Sequence, residues 1–278
     1  MIRVRDGSGR HRCRPVVLAT LLIHLAGPLH GQDVPFPIEQ FQGNDTTARW
    51  LLAYDRCAWR SSDELVKQPR EALDGLGPVW MCLEEDGTWH ALYGRFDEAA
   101  ERYTVRFHYQ VARSSVSLSS SPLDSARMTA AARALAAAVG SLPDAFRRSG
   151  ARFNSYVQFR GESGLSVWIL PAWQPNGVAL FGAEARYDYS ADGSTRVGQH
   201  VIPGPLRGTR PDTAVAFRID SNGSDAPTVG DLFFYYLMRP YFASMRILTP
   251  RYSSSIVRVA DDEAWVHVVR PAVGDAER

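Results

Sequence analysis

Residues 79–94 read VWMCLEEDGTWHALYG, and this stretch decides the fold class. Asp86-Gly87 is the strongest short-range hairpin signal, because both central residues of a tight type I′ turn need positive φ. It stands between two runs rich in aromatic and branched residues, so two antiparallel strands are predicted around it. Residues 102–111, RYTVRFHYQV, place Tyr103, Val105, Phe107 and Tyr109 at every second position, which continues the meander with one apolar face. Upstream, DTTARWLLAYDRCAW (residues 45–59) spaces Trp50, Leu51, Tyr54, Cys57 and Ala58 by three and four. That period predicts an amphipathic helix, with Asp45 as its N-cap. Residues 32–113 therefore form a helix on an antiparallel sheet.

Downstream, residues 112–125 (ARSSVSLSSSPLDS) are serine-rich and lack apolar period, which predicts a loop. They lead into an alanine-rich helix, SARMTAAARALAAAVG (residues 125–140), stopped by Gly140 and Pro143. We place this linker and helix at 114–150, with a third segment at 151–278. There, residues 153–161 and 165–173 are strand-like, and residues 177–202 read as one long strand, an Asp192-Gly193 turn and a return strand. A strand at 213–220, a helix from Thr228 until Pro240, and strands near 244–249, 254–260 and 264–269 follow. The expected fold class is α+β, with mainly antiparallel or mixed sheets and a few packing helices.

Charge and address narrow the function classes. With 31 Lys+Arg against 30 Asp+Glu, the chain has no bulk attraction for a polyanion, so no nucleic-acid partner is expected. The N-terminus is basic up to Arg14, apolar from 15 to 26, then rich in small residues, the three-part form of a signal peptide over residues 1–31. An apolar run of about a dozen residues is too short to span a bilayer. We expect a bacterial periplasmic or secreted protein with no transmembrane anchor after cleavage, and a protein partner in the cell envelope. Removal of Cys13 leaves Cys57 and Cys82, whose simplest use in an exported chain is a disulfide, the alternative being two buried thiols. Closing a loop of about 25 residues would contribute roughly 3 kcal/mol.

Residues 217–234, FRIDSNGSDAPTVGDLFF, hold the one spaced motif: Arg218, Asp220, Thr228 and Asp231 in the order R-x-D-x7-T-x-x-D. With a strand before and a helix after, the spacing resembles the JAMM (JAB/MPN-type) metalloprotease motif H-x-H-x7-S-x-x-D. In that family the two histidines and the aspartate bind zinc, the serine steadies the oxyanion, and a glutamate from an earlier strand activates the zinc water. Here the resemblance implies a degenerate domain. Arg218 and Asp220 stand at the histidine positions, and a guanidinium has no lone pair to give a metal. No metal or other cofactor is expected. Glu184 or Glu162 matches the family's glutamate by order. An ion pair of Arg218 with Asp220 or Asp231 would replace the metal as a tie. The competing reading is local: residues 220–225 are turn formers, and Thr228 or Asp231 caps the following helix.

Other candidate groups are His90 and His108, on neighbouring predicted strands with Glu84 and Glu85 close by, as an acid/base pair. Trp80, Trp89, Tyr93, Trp168, Trp173 and the run Phe233 to Tyr236 are either core or a platform for a sugar or peptide. The leading expectation is an exported non-catalytic binding or structural protein. Its alternatives are a hydrolase using Glu184, His90 or His108, and a glycan or small-molecule binder using exposed tryptophans.

Overall fold

The structure is a computed structural model and describes residues 35–211, 216–221, 224–259 and 262–270; the signal-like segment 1–31, with Cys13, lies outside the described residues. Helix α1 (Ile38–Leu65) follows Pro37 directly and buries Phe41, Ala48, Leu51, Tyr54, Cys57 and Ser61 along one stripe. Asp45 is therefore not its N-cap: the proline at the entry presets φ and starts the helix eight residues earlier. Asp45 instead pairs with Arg49 at 2.8 Å and accepts from the Tyr236 hydroxyl. The short α2 (Arg70–Leu73) leads into the meander.

Strands β1 (Trp80–Glu85) and β2 (Thr88–Asp97) pair antiparallel across Asp86 and Gly87, whose φ values are 48° and 74°. Strand β3 (Arg102–Val111) joins β2. The serine-rich stretch is not all loop: β4 (Val116–Leu118) pairs with the end of β3, Val111 opposite Val116. A run of three residues is too short to show a period in sequence.

Helix α3 (Ser125–Gly140) has the span expected and is capped by Asp124, whose carboxylate accepts from the amides of Ala126 and Arg127. Its buried alanines, among them Ala131, Ala134 and Ala138, let it lie close on β3, β5 (Phe153–Phe159) and β6 (Leu165–Pro171). Helix α4 (Asp144–Arg148) follows it. The predicted long strand over 177–189 is two strands in different sheets. β7 (Ala179–Phe181) pairs with β10 (Arg207–Thr209), while β8 (Glu184–Tyr189) lies between β6 and β9 (Arg196–Ile202). Gly182, with φ of 94°, turns the chain between them.

The last unit is β11 (Ala216–Asp220), α5 (Val229–Met238), β12 (Ser244–Leu248), β13 (Tyr252–Val259) and β14 (Asp262–Val269). β11 and β12 run parallel with α5 as the crossover, and the other pairs are antiparallel. The fold is thus α+β with antiparallel and mixed sheets. Helix α5 is apolar almost all round and is correspondingly buried, packing on α1. One core runs from Phe41, Leu51 and Tyr54 through Tyr156 to Phe233 and Ile247; a second gathers Met81, Leu92, Leu135, Val167 and Tyr187 around α3. No helix among the described residues is long and apolar enough to cross a membrane.

The expected disulfide between Cys57 and Cys82 is not formed; both are free, buried thiols. α1 delivers one and β1 the other into the same core, where the two side chains meet in a hydrogen bond between thiols. Burial pushes the Cys82 thiol well up, so it stays protonated.

Candidate functional site

The motif residues divide into an outer and an inner pair. Arg218 and Asp220, two apart on β11, point to one side, and both are exposed to solvent to a substantial degree. Arg218 Nε lies 3.2 Å from Asp220 Oδ1, and Arg207 from β10 lies 3.0 Å from Oδ2. Thr228 and Asp231 instead form a capping box: the Thr228 hydroxyl accepts from the Asp231 amide at 3.2 Å, and Asp231 accepts from the Thr228 amide at 3.0 Å. Ser221 also donates to Asp231, at 2.5 Å.

Glu184, at the start of β8, is brought to the same helix end, and its Oε2 accepts from the Gly230 amide at 2.5 Å. Burial pushes its carboxyl up to about 7, the nearby Asp231 adds to the rise, and the Gly230 and Thr228 donors oppose it. His200 approaches Oε1 at 3.8 Å. The space left here is about 10 Å³, no more than one water requires. Inner and outer pairs do not converge, and among the described residues no three His, Cys, Asp or Glu groups form a metal-ligand set.

His90 and His108 do meet: Nδ1 of the first lies 2.8 Å from Nε2 of the second, and both are buried. Burial and then the neighbouring ring push His108 down. Such a bond needs a donor on one ring and a lone pair on the other, so each ring spends one of its two nitrogens on its neighbour. Glu85 turns to Arg127 at 3.0 Å, and Glu84 faces solvent.

A cleft of ligand size lies elsewhere, between α1, β1, β2, β5 and α5. Trp80 and Tyr93, opposite each other in the β1–β2 register, form one wall. Asn154 and Tyr156, alternate residues of β5, form another, and Phe233 and Leu237, one turn apart on α5, a third. Trp59 and Trp173 stand at the sides of this cleft of about 530 Å³, and Trp59 is 55% exposed. At its foot is Asp55, one turn before Trp59 on α1 and only 5% exposed. Its Oδ1 accepts from the Tyr156 hydroxyl at 2.9 Å, and Trp59 and Asn154 also donate to the carboxylate. Burial pushes Asp55 up to about 6 against the pull of those three donors.

A neighbouring space of about 930 Å³ shares Asp55, Trp59, Trp173 and Leu237 and adds Trp89, Tyr236 and Tyr241. Of the aromatic residues singled out in sequence, Trp80, Tyr93, Trp173 and Phe233 thus line the cleft, while Trp89 and Tyr236 line its extension. Trp168, with Arg186 over its ring at 5.5 Å, and Phe234 and Tyr235 belong to the packed interior. Asp55 and Trp59 were missed because the helical period was counted over apolar positions. The available signal was an acid on the buried stripe of that helix, one turn before a tryptophan.

No protein-family model, curated protein or solved structure matches this chain. What the cleft can do follows from its own groups. Among the described residues, Asp55 is the sole carboxylate on its lining and on that of its extension, and no histidine lines either. Hydrolysis of a glycosidic bond calls for a second carboxylate across the substrate. The lining supplies aromatic side chains, one buried carboxylate, the exposed Arg152 and a few neutral hydrogen-bonding groups, and the extension adds Arg56, Arg60 and Arg113.

Proposed function

We propose that this is an exported, non-catalytic binding protein of the bacterial cell envelope that holds a small organic ligand, a glycan or another small molecule, in the aromatic cleft. The observation that carries the reading is the Asp55 carboxylate, buried at the foot of an aromatic-rich cleft of ligand size. A carboxylate is costly to bury on α1's inner stripe unless something is gained there. The signal-like N-terminus supports the address, and the same surface would serve in capture of an envelope partner. The strand–helix–strand order of β11, α5 and β12 supports reading the motif likeness as one of fold alone, with Arg218 tied to Asp220 in place of metal chemistry.

The test is intrinsic tryptophan fluorescence of the purified protein, titrated with saccharides, amines and short amphipathic molecules. A saturable change that disappears in Trp173→Ala is expected. If nothing in the panel gives a saturable signal, the binding reading fails.

A further inference from the structure

Four acidic side chains are buried among the described residues: Asp55, Glu184, Asp188 and Asp231. Three have an evident electrostatic reason to be there. Asp188 lies between Arg160 at 3.5 Å and Arg186 at 3.3 Å. Glu184 and Asp231 sit at the N-terminus of α5, where free amides and the helix dipole favour negative charge. Asp55 has neither. It lies mid-helix in α1, no basic side chain among the described residues comes within ion-pair distance of it, and its three donors, Tyr156, Trp59 and Asn154, are all neutral.

We infer that the cleft takes a ligand carrying a positive charge, an alkylammonium group seated on the aromatic faces with Asp55 as its counter-ion; this rests on the binding reading above. The faces of tryptophan, tyrosine and phenylalanine are the negative ends of their ring quadrupoles and attract a cation, most strongly where water is excluded. Trp59, Trp80, Tyr93, Trp173 and Phe233 bring five such rings to the walls around one carboxylate that has no ion-pair partner among the described residues. Neutral donors leave the carboxylate's net charge in place, so a neutral ligand would leave it buried and unpaired. The three donors also hold its position without cancelling the charge.

The groups facing Asp55 set the pH response. α1 contributes Arg56, whose charge acts on it from the next position, and Trp59; β5 contributes Tyr156 and Asn154; β1 contributes the Cys82 thiol, which stays protonated; α5 contributes apolar Phe233 and Leu237. Arg152 lines the cleft but is exposed to solvent and therefore screened. Asp55 is thus the one group at the foot that changes charge between pH 5 and 8, with its carboxyl at about 6.

The experiment compares choline with 3,3-dimethylbutan-1-ol, its uncharged carbon isostere, and with glucose, by calorimetry on the wild-type protein at pH 8 and pH 5. Choline is expected to bind at least tenfold more tightly than the isostere at pH 8. It should weaken about tenfold at pH 5, where Asp55 is protonated. Asp55→Asn should erase the preference. If the isostere or glucose binds as well as choline, the inference is overturned while the cleft stands as a binding site. If no probe binds, both readings fall. The isostere comparison needs no variant, so a folding defect in Asp55→Asn cannot blur it.

Discussion

Glu184 shows how a single buried carboxyl writes a pH dependence into the fold. Its ordinary value is 4.5, and in the folded protein burial raises it to about 7. Between those values the folded chain keeps a proton that the unfolded chain has lost, so stability falls as pH rises through the window. Below pH 4.5 both states are protonated and the effect vanishes. Glu184→Gln keeps an oxygen for the Gly230 amide and removes the titration. We expect the variant to gain on the wild type by roughly 3 kcal/mol between pH 4.5 and 7.5, read from urea denaturation at the two values. Parallel pH trends for the two proteins would refute this. Asp55 has the same sign but a different setting, for its neighbours are an aromatic cleft and not a helix end. That contrast is why one acid is assigned to structure and the other to binding.

At the scale of elements, α5 depends on its first turn. Thr228 and Asp231 satisfy each other's amides, and Glu184 takes the amide of Gly230, where a Cβ would come within 2.7 Å of the carboxylate. Thr228→Ala removes one side of the box and should cost about 1 kcal/mol in chemical denaturation. No measurable loss would mean that Asp231 and Glu184 hold the helix end alone. The cap was legible in sequence because it is local: a threonine, an aspartate three residues on, and an apolar run. The β1–β2 hairpin and α3 were legible for the same reason. The start of α1, strand β4 and the break between β7 and β8 were not. Asp45 carries a capping signal that Pro37 pre-empts, and Gly182 interrupts an alternation that residues 178–189 otherwise sustain.

Across the whole molecule, the core that joins α1, the first sheet and α5 encloses Cys57 and Cys82 as thiols. A thiol-specific reagent should therefore label neither in the native protein and both in denaturant without reductant, counted by intact mass. Labelling of neither after unfolding would restore the disulfide. The same core explains the cleft. Asp55 and Tyr156 are 101 positions apart and meet because α1 packs on β1 and β5 lies against β1, with Trp80, Trp173 and Phe233 arriving from three further segments. The sequence by itself determined what depends on neighbours along the chain: the α+β class, the hairpin turn, the alanine helix, the capping box and the near-neutral charge. Tertiary structure alone decided which distant side chains share a space. It left Arg218 and Asp220 outside, closed Glu184 against α5, brought two cysteines together as thiols, and opened an aromatic cleft above Asp55. Local signals are set by backbone geometry over a few residues, whereas a cleft is set by how whole elements pack, and no short spacing encodes that.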